Sequence, residues 1–554
     1  MEAGDWALAD IQAVVAQVLA TDGGLLSAGE AVVARRVLAL DGDAGRLWAR
    51  LVGRRPKVFR VSGLRYPDVA DPVAALATLR GLDLVHGAVP ERLQLACYTV
   101  PELRRVCERV GLAGGGKRPE LLARLQDQRG WASEPVVRVC CGALVRRLEA
   151  LCFQDRWRDR SVWLLDRLGV TRWPSYALTS REPAFARRRT LLAWADGPPG
   201  QSPPEALLAQ LATLTPRPSW QRRLCLRRRL ERRVIEDARG LERTGDPARA
   251  ARLYQGLLDA GTRSAGAVTT RLALALEATG DRVGALAAAR RWRPLAEPVA
   301  RPGLDRVGRR LARRARGTWP PEPPLQAPPQ RRLLLVRAAS KDHRPRWGDP
   351  GLSIEAAVAR SVPRSVLQAE NALWTTLAGL LLYDLLWLDV PGMLPRPHLA
   401  GPLDLGTADF ARHRQEALAD RLQALQDGRG PALLRAAWAH HGERIRGVHW
   451  GRWSLGALEA CVAGVGGRPL ALILGRLAHE GWSAATGLPD LVVLPGPRCR
   501  LSHGFPSRLG EGLVLVEVKG PHDTVRDAQA VWFDHLLRAG AQIELWRVEA
   551  RSDG

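Results

Sequence analysis

A proline-rich segment marks a domain boundary in this sequence. It reads WPPEPPLQAPPQ, from Trp319 to Gln330. Consecutive prolines favour an extended conformation and cannot donate backbone hydrogen bonds, so neither a helix nor an interior strand can run through it. A weaker break, ADGPPGQSPPE, lies at Ala195–Glu205. Because 554 residues also exceed what one hydrophobic core supports, we expect several domains, the last of which begins after Gln330.

The composition favours a polyanionic partner. The chain has 82 basic and 57 acidic residues, a formal net charge of +25, and a hydrophobic fraction of 46%. Such a charge attracts phosphates, which makes nucleic acid the first candidate partner and an acidic membrane surface the second. The opening MEAGDWALAD lacks a signal-peptide pattern, and the longest apolar stretch, ALWTTLAGLLLYDLLWLDV, is interrupted by Asp384 and Asp389. We therefore expect neither a signal peptide nor a membrane-spanning helix, and of the two candidate partners we expect nucleic acid and no membrane. The eight scattered cysteines contain no C-x-x-C pair, as in a protein of the reducing cytoplasm.

Residues 1–90 are predicted to form an N-terminal helical DNA-binding region. The run LWARLVGRRPKVFRVSGLRY, from Leu47 to Tyr66, interleaves basic and aromatic residues. Such a run can hold backbone phosphates and stack on bases. A solvated helix followed by an edge strand explains it equally well. The candidate DNA-binding residues of this run are Arg50, Arg54, Arg55, Lys57 and Arg60.

Residues 91–135 are predicted to hold two short helices around a glycine-rich turn. The stretch YTVPELRRVCERVGLAGGGKRPELLARL begins at Tyr98, and Thr99 is a plausible N-cap of its first helix. It resembles a SAP module, a helix-turn-helix-like DNA-binding unit, whose central motif is matched by GKRPEL, beginning at Gly116. Lys117 and Arg118 within that motif are further candidate DNA-binding residues.

Residues 136–325 are predicted to form a helical domain with TPR-like repeats. LERTGDPARA at Leu241 and LEATGDRVGA at Leu276 are 35 residues apart. This offset is close to the period of about 34 residues of tetratricopeptide-type repeats, whose helix pairs bury their apolar faces by stacking. Two interpretations are open for this array: a basic platform for DNA or protein, and a rigid spacer.

Residues 331–554 are predicted to end in an α/β unit. Gly487–Pro495 and Gly512–Val518 have strand character, Asp523–Gly540 has a helical apolar face, and Gln542–Val548 is a third strand. The order strand, strand, helix, strand is the core order of an α/β unit.

Charged residues converge at the ends of the first two of these strands. Asp490 stands at the start of the first strand, and Glu517 and Lys519 lie at the end of the second, on one of its faces. Carboxylates from adjacent strands suit Mg²⁺ or Mn²⁺, and an ammonium beside them can stabilise charge on a phosphate. Only four of the 82 basic residues are lysines, which draws attention to Lys519. By itself, however, Glu-x-Lys on a strand is better explained as a surface salt bridge.

The surrounding residues are more specific. Pro489-Asp490 followed by Glu517-Val518-Lys519 resembles the PD-(D/E)xK pattern of a nuclease superfamily. The context VEVKGPHDTVRDAQAVWFDHLLRAG, with Gln529 on its helix, resembles a VRR-NUC type nuclease domain.

Two further stretches resemble the Fanconi-associated nuclease family. SVLQAENALWTTLAGLLLYDLLWLDV, from Ser365, resembles the family segment that supplies a helical Glu, here Glu370, and FQDRWRDRSVWLLDRLGVTRW, from Phe153 to Trp173, resembles another family block. The sequence is thus identified as a bacterial-type member of that family. The expected fold is multidomain, with a mostly α N-terminal part (SAP-like module, TPR-like helical repeats) followed by an α/β PD-(D/E)xK nuclease domain.

The resemblance implies a metal-dependent DNA nuclease, a phosphodiesterase that uses Mg²⁺ or Mn²⁺. In this sequence the implied metal ligands are Glu370, Asp490, Glu517 and the backbone carbonyl of Val518, with Lys519 catalytic and Gln529 supporting. The implied substrate is branched or 5′-flap DNA, cleaved by 5′-flap endonuclease and 5′-to-3′ exonuclease activity in interstrand crosslink repair. The implied location is the bacterial cytoplasm, at the nucleoid. Two alternatives stay open: a Holliday-junction resolvase-like nuclease, and a catalytically inactive DNA-binding repair scaffold.

Overall fold

The chain forms two compact units in the computed structural model. The N-terminal unit comprises Met1–Leu168 and Glu182–Ser202, and the C-terminal unit comprises Gly169–Arg181 and Pro203–Gly554. The structure describes residues 3–54, 57–131, 134–153, 169–178, 187–195, 203–212, 221–262, 264–338, 346–347, 351–370, 372–394, 398–497, 499–500, 504–505 and 508–551. Arg55 and most of the block Phe153–Trp173 lie outside these ranges. The four predicted domain limits stay a prediction.

The N-terminal unit is mainly helical and contains one small sheet. Its described helices are α1 (Ala3–Thr21), α2 (Ala28–Leu38), α3 (Gly42–Val52), α4 (Pro72–Gly81), α5 (Glu91–Gln94), α6 (Val100–Arg109), α7 (Arg118–Leu125), α8 (Gly142–Phe153) and α9 (Arg188–Ala195). Its strands are β1 (Val58–Arg60), β2 (Val85–His86) and β3 (Val136–Val139), and β3 lies between the other two. The basic-aromatic run therefore forms the end of a helix followed by an edge strand, but the helix is not solvated as expected, because it buries Leu47, Trp48 and Leu51.

The glycine-turn hairpin folds as its sequence predicts. The Thr99 backbone N–H donates to Glu102 Oε2 at 2.7 Å, which completes a capping box at the start of α6. Helices α6 and α7 bury a shared core that includes Leu103 and Leu121. The Trp131 ring closes this core in an edge contact with Tyr98, with ring centroids 5.3 Å apart.

The internal repeat corresponds to a repeated helix junction in the C-terminal unit. The described helices of this part are α10 (Pro204–Ala212), α11 (Gln221–Thr244), α12 (Pro247–Asp259), α13 (Ala265–Ala278), α14 (Arg282–Trp292) and α15 (Arg301–Arg314). In both copies a glycine with positive φ ends one helix and an aspartate caps the next: Gly245 and Asp246, then Gly280 and Asp281. The pairs α11–α12 and α13–α14 pack in succession, as in a stacked helical repeat.

A six-stranded mixed sheet forms the centre of the last domain. The strands of this region are β4 (Gln330–Leu335), β5 (Arg337–Ala338), β6 (Arg346–Trp347), β7 (Val366–Gln368), β8 (Leu491–Val493), β9 (Cys499–Arg500), β10 (Gly504–Phe505), β11 (Arg508–Leu509), β12 (Val514–Lys519) and β13 (Ile543–Ala550). The sheet order is β10-β4-β13-β12-β8-β7. Strand β12 runs parallel to β13 and antiparallel to β8. The three strands predicted in the α/β unit are confirmed.

Helices surround this sheet, and many of them lie between β7 and β8 in the sequence. The described helices are α16 (Ile354–Ser361), α17 (Ala372–Leu381), α18 (Tyr383–Leu386), α19 (Ala408–His413), α20 (Gln415–Gln426), α21 (Gly430–Trp438), α22 (Leu455–Val465), α23 (Gly467–Glu480) and α24 (Asp527–Arg538). Strand β12 is buried on both faces: Leu515 packs with α17, α23 and Trp532 of α24, whereas Val516 and Val518 pack into a second core with β13.

Helix α24 is shorter than the sequence predicts. The prediction began it at Asp523, but the helix begins at Asp527, after the N-cap Arg526. The Asp523 carboxylate instead accepts the Gly520 backbone N–H at 3.1 Å and so closes the turn after β12.

No single helix among the described residues is long and apolar enough to cross a membrane. One bent pair, Leu455–Val465 with Gly467–Glu480, meets the length and composition required, with an angle of 104° between its two parts.

The repeat junctions give the first testable prediction. Asp281 accepts the Gly284 N–H at 2.7 Å, and Asp246 accepts the Arg249 N–H at 3.0 Å. We expect Asp281→Ala to lower the free energy of unfolding of the C-terminal unit by about 1 kcal/mol, since an unsatisfied helix N-terminus loses its cap. Asp281→Asn retains an acceptor oxygen and should change it little. Chemical denaturation measures both, and an equal loss in the two variants would contradict a capping role.

Candidate active site

The pairing of β8 with β12 places the two predicted strand carboxylates opposite each other. The last registered pair is Leu491 with Val516. One residue beyond it, Asp490 on the β8 side faces Glu517 on the β12 side. The backbone N–H of Val518 donates to Asp490 Oδ2 at 3.0 Å, so an aspartate side chain continues the contact between the strands where backbone pairing stops.

Glu517 is the most buried member of this pair, with 1% of its surface exposed. Its Oε1 lies 2.9 Å from Lys519 Nζ and also accepts a hydrogen bond from the Gln529 side-chain amide. Gln529 lies in the first turn of α24, where its Oε1 in turn accepts the Arg526 N–H at 2.9 Å. The structure therefore brings together Asp490, Glu517, Lys519 and Gln529 as the sequence predicts, and the start of α24 fixes the orientation of Glu517.

Both carboxyl groups are held in surroundings that disfavour their charge. Burial first, and then the nearby Asp490 charge, together raise the pKa of Glu517 to about 8 against the opposing effect of the Lys519 ammonium. Burial also raises the pKa of Asp490, although the Val518 N–H opposes this shift. Two buried carboxylates in contact repel each other, so their arrangement is favourable only when a positive charge lies close to both.

Glu370 directly follows the residue that bonds to Asp490, and it does not lie on a helix. The N–H of Ala369 donates to the Asp490 backbone carbonyl at 2.7 Å, because β7 pairs with β8 along the sheet. Glu370 follows in an exposed turn, and α17 begins only at Ala372. The helical position expected for this glutamate is therefore wrong, because the chain must leave the edge strand β7 before a helix can start. Its metal-binding role, like that of the Val518 carbonyl, stays a prediction.

The sequence did not single out Glu355, which lies in the first turn of α16. Its charge raises the pKa of Asp490, so this carboxylate is within electrostatic range of the site. Helix α16 packs against β12, with Ile354 Cδ1 3.2 Å from where a Cβ on Gly520 would lie. An acidic residue after the N-cap Ser353 is an ordinary helix-start signal. Because this local role explains Glu355 fully, the sequence provides no reason to expect it near Asp490.

The donor set fits a hard divalent cation. Glu517 Oε2 is buried and has no hydrogen-bond partner among the described residues, which is costly unless a cation or water meets it. Among the residues the structure describes, no group of three or more His, Cys, Asp and Glu side chains is arranged to hold a metal ion. Asp490 and Glu517 would thus supply two carboxylates, an arrangement that suits Mg²⁺, which keeps several waters.

The candidate DNA-binding residues near α3 that the structure describes have intramolecular contacts. Arg50 pairs with Asp68 at 2.7 Å, and Arg54 donates to the Tyr66 hydroxyl at 2.9 Å. Lys57 donates to a backbone carbonyl of α3. These contacts orient the side chains, and their role in DNA binding stays a prediction.

The candidates around the SAP-like hairpin differ in their surroundings. Arg60 pairs with Glu102 at 2.6 Å and lies over the Tyr98 ring, 4.3 Å from its centroid. Arg118 donates to the Tyr98 carbonyl, whereas Lys117 is exposed at the start of α7. Lys117 is the more accessible of the two candidates in the glycine-turn motif.

Three family models match consecutive parts of the chain: a FAN1 HTH domain over residues 6–86, a SAP domain over 98–129 and a VRR-NUC domain over 426–550. A Fanconi-associated nuclease 1 homolog of Pseudomonas aeruginosa is 28% identical, and the alignment covers 88% of this chain and 85% of that protein. Over most of its length the chain is thus similar to Fanconi-associated nucleases, including this bacterial homolog.

Plant members of the family are also similar to this chain. The Arabidopsis thaliana homolog is 26% identical over 97% of this chain and 66% of its own length, and the Oryza sativa homolog is 36% identical over 32% of this chain and 18% of its own length. The chain thus spans less than two thirds of these relatives. Among solved structures, paFAN1 bound to 2nt 5′flap DNA with gap superposes with a TM-score of 0.83 at 24% identity over the whole of both chains. The expected multidomain fold is confirmed.

The electrostatics of the site predict the effect of removing one charge. We expect Asp490→Asn to raise the free energy of unfolding of the metal-free protein by on the order of 1–2 kcal/mol, because one buried charge beside Glu517 is lost while the Asn oxygen still accepts the Val518 N–H. Thermal unfolding in EDTA measures this change, and the control is Asp384→Asn, at an exposed aspartate paired with Arg421. A destabilised Asp490→Asn variant would contradict the electrostatic account of the site.

Proposed function

We propose that this chain is a divalent-metal-dependent DNA nuclease that cleaves structures with a 5′ flap. The observation that carries the proposal is the convergence of Asp490, Glu517 and Lys519 in one buried site, with an unpartnered Glu517 oxygen. The finer parts of the proposal are 5′-to-3′ exonuclease activity, a place in interstrand crosslink repair and a location at the bacterial nucleoid. The 5′flap DNA bound by paFAN1 in two solved structures of similar fold supports the choice of substrate.

Each site residue has a distinct part in the proposed reaction. Asp490 and Glu517 would hold Mg²⁺ or Mn²⁺, which when bound activates a water and offsets charge on the phosphate. The Val518 N–H fixes Asp490, and Gln529 fixes Glu517, so neither carboxylate has to reorganise. Lys519 is held beside Glu517 by a 2.9 Å contact, from which its ammonium can donate to a phosphate oxygen of the scissile bond.

A lysine suits this position better than an arginine would. The Lys519 ammonium is a compact charge with three donors on a flexible stem, and it is 8% exposed. A planar guanidinium needs more room and a fixed fork of acceptors. Nearly all basic residues of this chain are arginine, yet position 519 is a lysine. Its compact ammonium fits the limited space beside Glu517.

Cleavage of a labelled 5′-flap duplex tests the proposal. We expect cleavage with Mn²⁺ or Mg²⁺ and none in EDTA. Asp490→Ala and Lys519→Ala should each reduce the cleavage rate by at least about 10³-fold, since each removes charge stabilisation in a buried site, while flap binding is retained. His522→Ala, an exposed residue of the turn after β12, is a control expected to stay active. Persistent cleavage in both site variants would overturn the proposal, and an inactive wild type with intact flap binding would favour the scaffold alternative.

Metal binding has a readout that is independent of cleavage. A cation that binds the folded site stabilises it by about 2.7 kcal/mol at a concentration of 100 times its Kd. We expect Mn²⁺ to raise the thermal midpoint of the wild type and to leave that of an Asp490→Asn/Glu517→Gln double variant unchanged. Equal stabilisation of the two proteins would place the ion elsewhere.

A further inference from the structure

The end of α21 and the segment between α21 and α22 carry a cluster of aromatic rings, formed by Trp438, His441 and Trp450. The ring centroids of the two tryptophans are 5.4 Å apart, and His441 lies 4.8 Å from each of them. His441 is exposed, and the two tryptophans are half-buried. This aromatic cluster therefore offers ring surface to solvent while the rest of each indole packs against the core.

Hydrogen bonds and ring stacking with neighbouring residues hold the aromatic cluster in place. The Trp450 indole N–H donates to the Glu443 carbonyl at 2.6 Å. The Glu443 carboxylate is buried and accepts a 2.7 Å hydrogen bond from the Tyr383 hydroxyl, and the Tyr383 ring stacks on His440 with centroids 4.0 Å apart. Because these contacts fix the rings before any ligand arrives, binding on them costs little ordering.

The surroundings of the cluster are positively charged. From residue 439 to residue 453 the sequence AHHGERIRGVHWGRW contains one acidic residue, the buried Glu443. Arg444 is exposed, Arg446 is half-buried, and neither forms an ion pair with a described residue. Arg452 lies over the Trp453 ring, 5.0 Å from its centroid. Alternating guanidinium and aromatic groups are the features by which proteins bind single-stranded nucleic acid.

The segment is fastened to the helix that follows Glu370. Thr375 Oγ1 donates to the Gly447 carbonyl at 3.0 Å, and the His449 N–H donates to Thr376 Oγ1 at 3.1 Å. Both threonines lie within roughly one turn, about 5 Å, of the start of α17. Residues 439–453 thus lie along the face of α17, beside the Glu370 end of the candidate active site.

We propose that the aromatic cluster stacks on unpaired bases of the DNA strand that enters the active site, while Arg444 and Arg446 neutralise its phosphates. This inference rests on the proposed nuclease function and adds to it the place where the single-stranded flap is held. Stacking is tolerant of sequence because every base has a ring face, so this surface would recognise single-strandedness rather than a base sequence.

Two flaps that differ only in their bases test the inference. One duplex carries a normal 5′ flap and the other carries abasic residues at the same positions, and binding is measured in EDTA so that no cleavage occurs. We expect Trp450→Leu to weaken binding of the normal flap about five- to tenfold and to leave binding of the abasic flap unchanged, because only the former has bases to stack. Trp450→Phe, which keeps a ring, should bind the normal flap nearly as the wild type does.

Further variants separate stacking from a structural effect. His441→Ala, at an exposed position, should show the same dependence on bases as Trp450→Leu even if the latter is less stable. Arg444→Ala and Arg446→Ala should weaken binding of both flaps and reduce its salt dependence. The matched control is Arg435→Ala, since the Arg435 guanidinium pairs with Glu459 at 2.9 Å. This variant should change neither the binding of the two flaps nor its salt dependence.

The possible results distinguish this inference from the proposed function. Equal losses on normal and abasic flaps, or no loss in Trp450→Leu and His441→Ala, would overturn the stacking role. That result would leave Mn²⁺-dependent cleavage by the wild type intact. A wild type that binds the flaps with base dependence but never cleaves them would overturn the nuclease proposal alone, and a wild type that binds neither flap would overturn both.

Discussion

The register between β8 and β12 is the constraint on which the candidate site depends. Backbone pairing ends at Leu491 and Val516, so the next residues on the two strands, Asp490 and Glu517, meet side by side. A shift of one residue would move Glu517 and Lys519 to the opposite face of the sheet, among the apolar side chains packed around Val516. The Val518 N–H that Asp490 accepts then anchors the register at the point where the ladder stops.

The apolar packing on both faces of β12 determines the chemistry of this site. The core around Leu515 and Trp532 excludes water from the face that carries Glu517 and Lys519, and a low local dielectric strengthens each charge interaction there. The same burial makes paired carboxylates unfavourable without a compensating cation. A site of this kind is less stable than an apolar core would be, and the surrounding helices offset that cost.

The residues whose position follows from the alternation of side chains along a strand were predictable from the sequence. Glu517 and Lys519 share a face because side chains alternate along a strand, and Gln529 lies near them because the helix returns along the same face. Glu370 was predicted on a helix but lies in the turn after β7, since a sequence pattern does not show where a chain turns off an edge strand. Glu355 was not identified because its proximity to Asp490 arises from tertiary packing alone. Likewise, the pairing of Arg50 and Arg60 with acidic residues distant in sequence could not be read from a basic run.

The placement of β7 next to β8 has a consequence for how the protein is made. The Ala369 N–H bonds to the Asp490 carbonyl, although 122 residues lie between the end of β7 and the start of β8. The ribosome therefore delivers Glu370 long before the strand that carries Glu517, and the intervening helices can fold while synthesis continues. A nascent chain holds no complete set of carboxylates until β12 has emerged and closed these long-range contacts. A nuclease assembled in this order would stay inactive during translation and gain activity only with the last strands of its sheet.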